Sequence, residues 1–330
     1  LFNADEVVLA QTAMGKRLVD AREGGTSGCI ETGCFGKEAY VLHGYLNVPK
    51  ILELALNDGM DPVTGKKIGI STGRAETFRD FEDLYEAFRS QLEYVVTWKV
   101  KVSEDLDRMY GQNVPAPFLS VYMDDCIQNG KDYYCGGARY NTDYIQCVGL
   151  GTVTDSLSAI HTHVYTEKAI DLTTLLSALR EDWNGHEALR QRIRTKTPLF
   201  GNDDDRADSL AVRVLETLID VIEGRKSWRG GTYYVDLLST TCHVYFGLMT
   251  GATPDGRRAR APESDGTSPA HGSDRFGPTA VMKSLGKLDQ ARTGGTLLNQ
   301  RFLPAALAGE QGIDKLASLV RGYFRMGGHH

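Results

Sequence analysis

The stretch Gly24-Gly25-Thr26-Ser27-Gly28-Cys29-Ile30-Glu31-Thr32-Gly33-Cys34-Phe35-Gly36-Lys37-Glu38 is the part of the chain best suited to chemistry. Its glycines let the backbone turn sharply on both sides of a Cys-x-Glu. In an extended loop, residues i and i+2 point to the same side, so the Cys29 sulfur and the Glu31 carboxylate can face one substrate. A negative neighbour raises a thiol pKa, which makes this a poor arrangement for an ionic nucleophile. The pair suits a reaction in which sulfur moves hydrogen atoms and the carboxylate moves protons. On the residues alone an equal alternative stands, in which Cys29 and Cys34 are small buried hydrophobes in a tight turn.

Other reactive side chains read as structure. Asp203-Asp204-Asp205 precedes a helical pattern, where acids cap the first turn and favour its dipole, and this is preferred over a divalent-metal site. His161 and His163 lack Cys or Glu at ligand spacing and read as satisfied polar residues. His243, next to Cys242 and close to Thr240, borders a pocket or packs in the core, and both readings are open. Gly251 to Gly256 with Arg257-Arg258 lacks the Gly-Lys-Ser/Thr of a phosphate loop and reads as a surface turn. The six cysteines, at 29, 34, 126, 135, 147 and 242, include no Cys-x-x-Cys, so no bound metal is expected.

The elements that must position these residues follow from hydrophobic periodicity. Helices are predicted over 1–22, 50–57 (closed by Asn57-Asp58-Gly59), 153–163, 171–183, 206–223 and 312–325. The longest covers 76–111, where Phe78, Phe81, Leu84, Tyr85, Phe88, Leu92, Val95 and Val96 form a stripe that reads as core rather than a cofactor surface. Residues 61–73 read as a polar turn region. Short strands or buried apolar runs are predicted at 118–122, 233–238, 243–249 and 279–282. Short strands between longer helices point to an α/β architecture of barrel type, and no linker divides it.

Composition narrows the function class. Acidic residues (43) exceed basic ones (37), and no basic block is present, so binding to nucleic acid has no electrostatic source. No apolar window approaches the ~18 residues of a membrane span and no signal peptide is evident, so no membrane partner is expected. Scattered cysteines without a signal sequence favour reduced thiols in a cytoplasmic protein. Glycine is frequent, 36 of 330, and its placement beside Cys, Thr, Asn and His suggests tight loops around a crowded interior. The start at Leu1 and the end at Gly327-Gly328-His329-His330 read as those of an internal fragment.

The Cys29 stretch resembles the active-site loop of glycyl radical enzymes, the pyruvate formate-lyase and glycerol dehydratase family. The resemblance continues through Asp124-Asp125-Cys126-Ile127, Gly136-Gly137-Ala138-Arg139-Tyr140-Asn141, Gly201-Asn202-Asp203-Asp204-Asp205, Thr240-Thr241-Cys242-His243, Gly294-Gly295-Thr296-Leu297-Leu298-Asn299-Gln300 and the final Gly-Gly-His-His. It implies a ten-stranded α/β barrel, with residues 1–330 forming part of one catalytic domain that lacks its N-terminal portion and its C-terminal glycine loop. It implies that Cys29 forms the thiyl radical and Glu31 is the general acid/base. The family's radical glycine, in a pattern like Arg-Val-Ala-Gly-Tyr, is expected downstream of His330, so the fragment alone is expected to be inactive. A separate S-adenosylmethionine iron–sulfur activase is implied as a partner, and a homodimer is suggested.

Within the family, Thr32 stands where proline is typical of choline lyase and of the glycerol and diol dehydratases, Cys29 has no adjacent cysteine, and positions 237–243 hold no arginine for a sulfonate. The Glu-Thr-Gly-x-Phe-Gly-Lys-Glu run is most similar to the hydroxyproline dehydratase and arylacetate decarboxylase branches. The first is favoured, because Tyr45 and Thr240 match positions that line its substrate pocket. The expected reaction is radical dehydration of trans-4-hydroxy-L-proline, with arylacetate decarboxylation and a catalytically silent binding paralogue as alternatives.

Overall fold

The computed structural model describes residues 1–27 and 29–330. The labels used below are α1 (Ala4–Ala13), β1 (Glu38–Asn47), α2 (Val48–Leu56), α3 (Phe81–Asn113), β2 (Tyr140–Val148), α4 (Leu150–Ile160), α5 (Asp205–Ile222), β3 (Thr232–Asp236) and α6 (Cys242–Met249). The three strands form a parallel sheet with β2 in the centre. Parallel strands need long crossovers, and here these are helical: α2 and α3 lie between β1 and β2, and α4 and α5 between β2 and β3.

Alternation along the strands gives the sheet two different faces. Ile145, Cys147, Tyr233, Val235 and Leu237 join the main apolar core with Leu84, Phe88 and Leu92 of α3, Val153 and Leu157 of α4, and Leu218 and Ile219 of α5. Thr142, Tyr144 and Gln146 point the other way and hydrogen-bond Glu38, Thr32 and Glu31. The site therefore lies on the face away from the helices.

A bulge decides which side chains β1 contributes to that face. Leu42 lies opposite Tyr144, but Tyr45 lies opposite Gln146, so three steps of β1 match two of β2. One extra residue at His43–Gly44 absorbs the difference, with Gly44 at φ 74°. Strict alternation would have turned Tyr45 into the helical core. With the bulge, Tyr45, Gln146 and Asp236 form one row across the three strands.

Segment 294–297 continues the sheet beyond β3. The Gly294 N–H donates to Val235 carbonyl at 2.7 Å, the Leu237 N–H to Gly295 at 2.9 Å and the Leu297 N–H to Leu237 at 3.2 Å. This remains an open parallel sheet. Among the described residues the other strands are the two-residue pairs Gly25–Thr26 with Thr32–Gly33 and Met60–Asp61 with Lys66–Lys67, and no ten-stranded closure forms within them.

Several sequence expectations need correction. The strand expected at 118–122 is the helix Pro117–Val121, begun by a proline in the first turn. The runs at 243–249 and 279–282 are the helices Cys242–Met249 and Pro278–Leu285; an uninterrupted apolar run has no period to separate strand from helix. The helix expected over 1–22 breaks at Gly15, φ 84°. The long helix starts later than expected, at Phe81, because the Asp80 carboxylate accepts the Asp83 N–H at 2.9 Å as its cap. Strands β1 and β2 escaped prediction. No helix of the described residues is long and apolar enough to cross a membrane.

A buried ion network braces the helical face beneath the bulge. Asp143 of β2 accepts from Arg229 at 2.5 Å and lies 2.6 Å from His43 Nε2, while Asp107 of α3 lies 3.6 Å from both His43 and Arg229. Burial alone would push the Asp143 carboxyl up, but His43 and Arg229 hold it below the usual carboxylate range. Removing the guanidinium would leave two carboxylates in a dry site with only His43 between them. Arg229→Leu is expected to lower stability by about 3–5 kcal/mol, read as a lower urea midpoint; a loss below about 1 kcal/mol would show that the network is not a brace.

Candidate active site

The Cys29 loop is closed by its own backbone. Gly25 pairs with Gly33 and Thr26 with Thr32 in an antiparallel ladder, and the Ser27 N–H donates to the Glu31 carbonyl at 2.8 Å. Cys29 thus sits at the tip and is exposed, while Ile30 and Glu31 on the returning limb are buried, at 1% and 3% exposure.

Two contacts fix this limb on the sheet. The Thr32 N–H donates to the Gly294 carbonyl at 2.8 Å, and the Tyr144 hydroxyl donates to the Thr32 carbonyl at 2.8 Å. The approach is close enough to exclude side chains at 294 and 295. A Cβ at Gly295 would stand 2.4 Å from the Ile30 carbonyl oxygen, and one at Gly294 would stand 2.1 Å from the Tyr144 ring.

Glu31 is held by two side chains. Ser27 Oγ donates to its Oε2 in a short hydrogen bond, and Gln146 Nε2 donates to its Oε1 at 3.3 Å. Tyr45 and Thr240 form a second pair at 2.9 Å between hydroxyls. Thr240 also donates to the Ser239 carbonyl at 2.7 Å, so the Tyr45 O–H is the donor in that pair. Burial is the main cause pushing the Tyr45 phenol up, with Glu31 and Cys29 adding to it. The four residues expected from the sequence therefore gather at one end of the sheet, as two hydrogen-bonded groups rather than a single network.

The Cys29 thiol is pushed above the ordinary thiol range, first by partial desolvation and then by Glu31 and Asp236. At neutral pH it carries its hydrogen. The competing reading, a buried hydrophobic cysteine, describes Cys34 instead: it is fully buried, and burial pushes its thiol up to about 11.

Two site residues were missed in the sequence, Gln146 and Asp236. Asp236 is fully buried, and neither of its carboxylate oxygens has a hydrogen-bond partner among the described residues. Burial, then Glu31, pushes its carboxyl well above the usual range. The available signal was a polar residue inside each apolar run, Tyr144-Ile145-Gln146-Cys147 and Tyr234-Val235-Asp236-Leu237.

The remaining candidates are structural. Asp204 caps α5 by accepting the Arg206 N–H at 3.1 Å, and Lys287 pairs with Asp203, Asp205 and Asp208. His163 is buried against Thr197 at 3.0 Å and Glu167 at 3.2 Å, and His161 packs edge-on against Phe81. His243 lies 3.3 Å from Ser239 and 4.0 Å from Asp265. Arg257 ties its own turn together through the carbonyls of Gly251, Arg258 and Ala261. His43, Asp107 and Asp143 bring ligand atoms within 4.8 Å of one another, yet the Arg229 guanidinium already supplies their positive charge.

Comparison with known proteins gives this geometry a family. Residues 1–247 match the model described as pyruvate formate lyase-like, and residues 263–330 match the glycine radical model. The chain is 51% identical over 329 residues to trans-4-hydroxy-L-proline dehydratase of Clostridioides difficile, covering 100% of this chain and 42% of that protein. The crystal structure of the C. difficile hydroxyproline dehydratase with trans-4-hydroxy-L-proline bound superposes with a TM-score of 0.99, at 51% identity, over 100% of this chain and 42% of that one. The B12-independent glycerol dehydratase from Clostridium butyricum, in its glycerol-bound form, gives 0.96 at 36% identity, again over 100% and 42%. The chain thus spans about two fifths of the length of these relatives. With three quarters of its residues matched, including the Cys29 loop, strands β1 to β3 and Thr240, the chain belongs to the pyruvate formate lyase-like family.

Proposed function

We propose that the chain is the thiol-bearing portion of a glycyl radical lyase that dehydrates trans-4-hydroxy-L-proline to a pyrroline carboxylate. The observation that carries this reading is the 51% identity to the hydroxyproline dehydratase over the whole chain, joined to a Cys29–Glu31 geometry suited to hydrogen-atom and proton transfer. The match of residues 263–330 to the glycine radical model supports a radical enzyme over a silent paralogue. In this reading the open sheet is part of a ten-stranded barrel, residues 1–330 belong to one catalytic domain of a cytoplasmic enzyme, a separate S-adenosylmethionine iron–sulfur protein activates it, and the enzyme is a homodimer.

A glycyl radical supplies the unpaired electron that converts the Cys29 thiol to a thiyl. The residues fit that demand, since Cys29 presents a protonated sulfur at an exposed loop tip. The Cys29 sulfur takes a hydrogen atom from the ring carbon next to the hydroxylated one. Glu31, a carboxylate, takes a proton from the ring ammonium and passes it to the hydroxyl, which leaves as water, and an adjacent radical centre makes that departure far easier than in the closed-shell ring. The C=N bond forms as the ring nitrogen loses that one proton, so Glu31 ends as the carboxylate it began. Cys29 returns a hydrogen atom to the carbon that lost the hydroxyl, and the thiyl is restored. Tyr45 and Thr240 line the substrate pocket in this reading.

Supplied with hydroxyproline, indoleacetate and hydroxyphenylacetate in turn, the activated enzyme is expected to release a pyrroline carboxylate from the first alone; decarboxylation of an arylacetate with hydroxyproline untouched would overturn the assignment. Cys29→Ala should abolish turnover, and Glu31→Gln should lower it by about 10²–10⁴-fold, with circular dichroism unchanged. A third expectation needs no radical. At neutral pH, iodoacetamide should label Cys29 more slowly than an unperturbed thiol despite its exposure, and Glu31→Gln should accelerate labelling, because loss of the negative neighbour raises the thiolate fraction. Peptide mass spectrometry reads the rate, and slower labelling in the variant would contradict the electrostatic account.

A further inference from the structure

Asp236 ends β3 directly opposite Gln146, and register partners in a parallel pair present their side chains to the same face. Its carboxyl therefore stands on the site face, in the row that runs Tyr45, Gln146, Asp236. It is fully buried, and both of its oxygens lack a donor among the described residues. The titratable groups that feel its charge are Cys29, Glu31, Tyr144 and Cys147. Every one of them is an acid. No ammonium or guanidinium among the described residues pairs with Asp236, and a buried carboxylate without a counter-charge costs far more than a neutral acid.

A neutral carboxylic acid is a donor and needs an acceptor. Gln146 provides one. Its Nε2 is committed to Glu31 at 3.3 Å, and Asp236 is its register partner on β3, so its carbonyl oxygen is the end of the amide left to accept from Asp236. A primary amide has two orientations of nearly equal shape, and only one of them turns an N–H toward Glu31. Whatever donates to Oε1 selects that orientation.

We propose that Asp236 is a positioning residue for Glu31: held as the neutral acid, it donates its O–H to Gln146 Oε1 and fixes the amide with its N–H toward the Glu31 carboxylate. The chain of contacts is Asp236 to Gln146 to Glu31, and Asp236 itself never touches substrate. Its effect on turnover rests on the dehydratase reading, whereas its protonation and its bond to Gln146 do not.

Infrared spectroscopy of the enzyme labelled with ¹³C-aspartate tests this. At neutral pH a protonated-carboxyl C=O band is expected that disappears in Asp236→Asn and shifts in Gln146→Leu, where its acceptor is removed. A spectrum that Asp236→Asn leaves intact, or a band that Gln146→Leu leaves in place, overturns the proposal. The Gln146→Leu arm keeps Asp236 in place, so it decides the matter even if Asp236→Asn fails to fold. In turnover, Asp236→Asn keeps a neutral donor and should recover most of the activity that Asp236→Ala loses. Asp236→Ala should lose about tenfold and displace the acid limb of the pH profile, a change that cavity formation alone would not produce. If hydroxyproline proves to be the wrong substrate, wild-type turnover reports that separately and the infrared result stands.

Discussion

One backbone hydrogen bond, from the Thr32 N–H to the Gly294 carbonyl, sets the distance on which the site depends. It joins a loop near the start of the chain to a sheet edge formed near its end, and both glycines at 294 and 295 are needed for the approach. The Tyr144 hydroxyl holds the same residue from the sheet side by donating to the Thr32 carbonyl. Only with the limb at this height does Glu31 come within reach of Gln146, and only then does Cys29, two residues earlier, overhang the row of polar side chains on the sheet. The chemistry of the loop is therefore a property of long-range packing, although its residues lie together in sequence.

The sheet separates two electrostatic environments a strand thickness apart. On the helical side, Asp143 and Asp107 are matched by Arg229 and His43. On the other side, Cys29, Glu31 and Asp236 gather with no such cation paired to them among the described residues. Compensation of charge braces the first face, and a protonated Cys29 thiol beside the Glu31 carboxylate suits the second to moving hydrogen atoms and protons. The bulge at His43–Gly44 is the hinge between them, since it sends His43 to one side and Tyr45 to the other.

Much of the helical framework was legible in the sequence because its signals are local. The aromatic stripe of α3 and the cap at Asp204 follow from spacing within a few residues. Strands β1 and β2 were not legible, β1 because the bulge at His43–Gly44 interrupts its alternation and β2 because it is buried. A strand buried on both faces has no alternation to show, and β2 carries Thr142, Asp143 and Gln146 at buried positions. Those are the residues that serve the network on one face and the site on the other, so function itself erased the pattern. The Cys-x-Glu stood out because glycine framed it, whereas Gln146 and Asp236 acquire meaning only when β2 and β3 are laid side by side. The same limit applies to α6, whose apolar run has no period within it.

The raised thiol at position 29 has a consequence for survival as well as for catalysis. Oxidation to sulfenic acid, capture of soft metal ions and exchange with stray disulfides all proceed through the thiolate. An exposed cysteine that stays protonated at neutral pH is slow in each of these side reactions, yet its S–H remains open to one-electron chemistry. Partial burial and the Glu31 carboxylate beside Cys29 thus act as a chemical filter, which leaves the sulfur inert to ordinary cell chemistry and available to a radical.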